Sequence, residues 1–142
     1  MTSAGASVLG ASREERALYA ELLAVYRELV AALADPARPL DHGWLAGRHA
    51  AAETLTARLR AVATELAPHR LSGAPVAAEV AELWRGSAAL AAEAARVNAE
   101  ATALARARQT ALLARLAALD AGRRALAGYR PAAAAVRAGQ VA

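Results

Sequence analysis

The spacing of the large apolar residues is the feature that most limits what this chain can become. Leu18, Leu22, Val25, Leu29 and Ala32 recur at alternating steps of four and three, and Tyr19, Leu23, Tyr26, Val30 and Leu33 widen the same face. That is the period of an α-helix with one buried side, and it differs from the period of two that a half-buried strand needs. Alanine, the strongest helix former, makes up about a third of the residues, so the segments between the apolar stripes favour the same conformation. The fold class expected is all-α: an antiparallel helical hairpin plus a long C-terminal helix, forming a three- to four-helix bundle.

Breakers place the helix ends. Ser12 followed by Glu15 has the form of a capping box, in which two side chains satisfy the free amides of a first turn. A first helix is therefore expected from near Arg13, with residues 1–12 as a flexible N-terminus. Asp35, Pro36 and Pro39 stop it, because proline lacks an amide donor and pushes its predecessor out of the helical region. Asp41 can cap a second helix carrying Leu45, Ala52, Leu55, Leu59, Val62 and Leu66, which Pro68 is expected to end. Pro75 suits the first turn of a third. Beyond it only Gly86 interrupts the pattern before Gly122, and a glycine costs a helix about 1 kcal/mol against alanine. Either one helix of roughly 45 residues follows, or a short one over 76–85 and then a long one. The bundle domain is expected over 13–121 and a tail over 122–142. In that tail the Tyr129-Arg130-Pro131 break precedes residues that are either without fixed structure or docked through Tyr129 and Val136.

Composition removes several function classes. The chain has 142 residues, enough for one domain, and no cysteine, which excludes disulfides, thiolate catalysis and cysteine metal sites. His42, His49 and His69 have no carboxylate pair at ligand spacing and read as surface or capping residues, with no metal. No glycine-rich phosphate loop and no local signature of a nucleophilic triad occurs. No catalytic residue, no cofactor and no enzymatic activity are expected. The N-terminus lacks a basic start followed by an apolar run, and no uncharged apolar stretch approaches the roughly 20 residues that span a bilayer. A cytoplasmic protein without membrane insertion is the expectation. The net charge is +4 and all 17 basic residues are arginine, but they are spread among 13 acids. This reads as a solvated mixed-charge surface with no nucleic-acid partner, an arginine-based nucleic-acid binder being the alternative.

The candidate site is apolar. Leu83, Leu90, Val97 and Leu104 recur every seven residues, flanked by Ala94 and Ala101, a narrow seam that permits close helix approach. Leu112, Leu113, Leu116 and Leu119 then crowd together, where a hairpin of two shorter helices no longer reaches. Leucines left exposed in a group mark a partner or subunit site. Val97, Leu104, Leu112, Leu113, Leu116, Leu119 and Tyr129 are the candidate partner-binding residues. Trp44 reads as an anchor closing one end of the bundle. Trp84 reads as a core residue beside Gly86, or as part of the Trp-x-Gly of small secreted WXG100-type hairpins, whose trailing tyrosine signal is missing here.

The order of elements, with "ELWRGSAALAAEAARVNAEATALARARQTALLARLAAL" opening on Leu83-Trp84, Asn98 inside "ARVNAE", and Leu104, Leu112 and Leu116 after it, resembles the flagellar type III export chaperones of the FlgN type. The resemblance runs from about Glu14 to Gly139 and includes a terminal Tyr-Pro segment. It implies a chaperone whose C-terminal helix wraps around amphipathic helices of hook-filament junction proteins. The cargo would be held soluble until the export apparatus takes it. The residues alone also admit a structural protein that buries the same stripe by self-association as a coiled-coil homodimer.

Overall fold

The computed structural model describes the backbone of residues 3–141 and the side chains of residues 3–129. Three helices follow in order: α1 (Ser3–Ala34), α2 (His42–Leu71) and α3 (Ala78–Val141). No strand occurs among the described residues, and the fold is an all-α helical bundle. The chain forms two compact units, Met1–Leu104 and Ala105–Ala142, with α3 contributing to both.

In the first unit the apolar stripes pair as their spacing requires. Val8 and Ala11 near the start of α1 pack with Val62 and Leu66 near the end of α2 and with Val80 at the start of α3. Farther along α1, Leu22 and Val25 meet Ala52 and Leu59 of α2. Leu23 meets Ala94 and Val97 of α3. So α1 and α2 run antiparallel, and α3 returns parallel to α1. Ala94 and Ala101, 3% and 5% exposed, are the small residues of the seam.

Four helix ends or breaks differ from expectation. α1 begins at Ser3, and residues 3–12 are helical, with Val8, Ala11 and Ser12 buried, instead of a flexible N-terminus. Val8 and Ala11 continue the apolar stripe one turn at a time towards the N-terminus, and burying them outweighs the local signal at Ser12. α2 continues past Pro68 to Leu71, because a proline in the last turn costs only one intrahelical bond. Its N-terminus is capped by Asp41, whose Oδ1 accepts the amide of Trp44 at 3.0 Å. Gly73, at φ +65°, turns the chain after it in the left-handed region that favours glycine. α3 runs through Gly86 without a break, the first of the two forms expected, but continues beyond residue 121 through Gly122, Gly128 and Pro131 to Val141. The flanking alanines offset each interruption with favourable propensity. Gly86 has a packing reason as well: a Cβ there would lie 3.2 Å from Nε of Arg16.

Ser12 and Glu15 have another use. Ser12 is fully buried and its Oγ accepts the indole N–H of Trp84 at 2.9 Å. Glu15, 3% exposed, accepts two hydrogen bonds from Arg70, at 2.6 and 3.0 Å. The Arg70 guanidinium lies 5.0 Å from the centre of the Trp84 ring. One polar chain, Ser12–Trp84–Arg70–Glu15, thereby ties all three helices. Exposed interhelical ion pairs, Arg13–Glu79, Arg58–Glu14 and Arg48–Glu28, accompany it, each contributing at most about 1 kcal/mol. On α3 itself, Arg96 donates to Glu93 and holds its carboxyl below the usual carboxylate range.

Trp84→Phe keeps an aromatic ring under Arg70 but removes the indole donor from which Ser12 accepts its hydrogen bond. A buried hydroxyl without a partner costs about 1–3 kcal/mol. Thermal unfolding is expected to shift down accordingly, and adding Ser12→Ala should recover most of the loss.

Candidate protein-binding face

The second unit is one helical segment, and its composition differs from that of the first. Ala101 is the last buried residue of α3 among the described residues, and Leu104 is half-buried. From Gln109 to Tyr129 every residue is exposed. The bundle unit therefore ends near Leu104 and not near residue 121, because among the described residues no buried side chain follows it.

The sequence-derived residues separate accordingly. Val97, 3% exposed, is packed against Leu23 in the first unit's core and is not available to a partner, which corrects its assignment as a binding residue. A heptad position beside Ala94 is what the bundle itself needs. Leu104 is half-buried at the end of the same unit. Leu112, Leu113, Leu116 and Leu119 are 53%, 59%, 61% and 67% exposed, and Tyr129 is 74% exposed. Val136 lies outside the residues whose side chains are described.

Leu126, 68% exposed, belongs with them and was hidden behind Gly122, read as a helix stop. The step of seven from Leu119 to Leu126 was the available signal. Burying a leucine is worth roughly 1.5–3 kcal/mol, so this group holds a substantial unused driving force for association.

No family model, curated protein or solved structure matches this chain.

Charge is distributed unevenly between the units. Residues 105–142 hold seven arginines and one acid, Asp120, for a net +6, whereas residues 1–104 hold ten arginines and twelve acids, for a net −2. An even mixture along the chain is thus not what the two units present. The arginines share the leucine face. Arg108, Leu112, Arg115, Leu119, Arg123 and Leu126 follow one another at steps of four, three, four, four and three, and Leu116 falls on the same stripe. Ala114, Ala121, Ala125 and Gly128 fall on the opposite side. Arg124 is paired with Asp120 one turn back.

His49 Nε2 lies 3.1 Å from Glu53 Oε1, an exposed pair one turn apart. Trp44 is half-buried with Arg38 5.9 Å from its ring centre. No group of three or more histidine, aspartate and glutamate side chains among the described residues could hold a metal ion. Among the described residues no helix is long and apolar enough to cross a membrane. Asn98 lines a cleft of about 420 Å³ with Tyr26, His49, Glu53, Thr56 and Arg60, open on one side.

Proposed function

We propose that this chain is a cytoplasmic binding protein that uses the leucine face of α3 to hold an amphipathic helix of a protein partner, as an export chaperone of flagellar hook-filament junction proteins does. The observation that carries the reading is the exposure of Leu112, Leu113, Leu116 and Leu119, each more than half open along two helical turns. An alanine-rich helix keeps its shape with little tertiary help, so it can offer such side chains without a core behind them. A second amphipathic helix laid along the stripe buries both apolar faces at once. Delivery to the export apparatus follows from the resemblance to the FlgN type, and needs no catalytic group.

Mass in solution tests this. The chain alone and the chain mixed with a purified hook-filament junction protein are measured by light scattering. A discrete complex with that protein, lost when its terminal helices are removed, is the expected result. A tight homodimer whose mass ignores the added protein would overturn the chaperone reading in favour of self-association.

A further inference from the structure

We infer that the helix held on this face is acidic, with carboxylates about two turns apart inside its apolar stripe, where they meet Arg115 and Arg123; this rests on the reading that the leucine face binds a helix. The two arginines are exposed and have no ion-pair partner among the described residues. They stand eight residues apart, Arg123 within the arc of Leu112, Leu116 and Leu119 and Arg115 directly flanking Leu119 and Leu126. A partner that buries Leu116 and Leu119 must therefore come close to both guanidinium groups. A neutral or basic helix would desolvate them without compensation, whereas an acidic one pairs with them.

The same geometry disfavours the other occupants. A second copy laid on this face would bring a net +6 segment against another net +6 segment in either orientation. A membrane-surface helix carries its charges at the rim of a wide apolar sector, and here Arg123 continues the line of Leu112 and Leu119. A nucleic-acid backbone would satisfy the arginines and leave the leucines unburied.

The test uses the full chain and three fluorescent synthetic peptides of about 20 residues, long enough to cover the stripe at 1.5 Å per residue. All carry the same leucine stripe and differ only in two stripe positions eight apart, which are glutamate, glutamine or lysine. Binding is read by anisotropy at about 50 mM and about 300 mM salt, beside vesicles containing phosphatidylserine and a single-stranded oligonucleotide. The glutamate peptide is expected to bind about tenfold more tightly than the lysine peptide at low salt, with the gap narrowing at high salt. In the Arg115→Glu, Arg123→Glu chain the order should reverse, and this reversal is indifferent to any change in stability. Equal binding of all three peptides would overturn the acidic partner while leaving the leucine-face reading standing. Binding of none would overturn both. Vesicle or oligonucleotide binding that exceeds peptide binding and is lost in the same variant would replace the acidic helix with that surface.

Discussion

Replacing Leu112 and Leu116 together by aspartate leaves the cooperative thermal transition of the chain within a few degrees of its starting point and removes partner binding. Both halves follow from exposure. The two side chains are 53% and 61% exposed, so little apolar burial is lost in the free protein. The residual cost is helix propensity, below about 0.7 kcal/mol per position. The contrast is Leu66, 0% exposed in the cluster that joins the start of α1, the end of α2 and the start of α3, where truncation to alanine should cost about 2–5 kcal/mol. On the binding side each substitution forfeits roughly 1.5–3 kcal/mol of burial and drives a carboxylate into an apolar seam. Two such changes amount to a loss of about three orders of magnitude or more in affinity. Circular dichroism gives helicity and melting, and titration against the partner gives affinity. A fall in melting temperature comparable to that of Leu66→Ala would place the leucines in the protein's own core, and unchanged affinity would move the binding site elsewhere.

The leucine face was legible because its signal is local. Leu112, Leu116 and Leu119 stand at helical spacing in a segment longer than its neighbours, and period and length are properties of the string itself. The hairpin was legible for the same reason, down to the Asp41 cap and the Asp35-Pro36 stop. Val97 was misassigned because a heptad stripe does not say where one buried contact ends and an exposed face begins. That boundary depends on how many turns of α1 and α2 are available to cover it, and Val97 lies against Leu23, well before α1 ends at Ala34. Ser12 and Glu15 show the same limit. A serine three residues before a glutamate fits a first turn, but equally fits two positions one turn apart on a buried face. Only Trp84 and Arg70, at sequence separations of 72 and 55, decide between them. Breakers misled where alanine surrounds them, as at Gly122 and Pro131, because propensity acts over a window and not at a point. The charge asymmetry was present in the sequence but required the unit boundary at Leu104 before it could be seen.

Arg70→Met is expected to be the most destabilising single change in the bundle that creates no cavity. The methionine replaces the aliphatic stem of arginine and can still lie against Trp84, so packing is nearly conserved. What changes is electrostatic: the Glu15 carboxylate, 3% exposed and held by two hydrogen bonds from Arg70, is left without its cation. Leaving one half of a buried pair costs about 3–5 kcal/mol, against a total stability of about 5–15 kcal/mol for a domain. At about 4–8 °C per kcal/mol for a unit of this size, the transition should fall by more than 10 °C. The double variant Glu15→Gln, Arg70→Met should recover most of the loss, because the neutral amide no longer demands a counter-charge. The coupling measured by the cycle should then exceed about 2 kcal/mol. The opening lined by Glu15, Tyr19, Arg70, Trp84 and Ser87 supplies the competing outcome. If water entering there solvates the orphaned carboxylate, Arg70→Met alone costs less than about 1 kcal/mol and the cycle shows no coupling. In that case the register of the three helices is set by the apolar contacts around Leu66 and not by the chain of polar groups from Ser12 to Glu15.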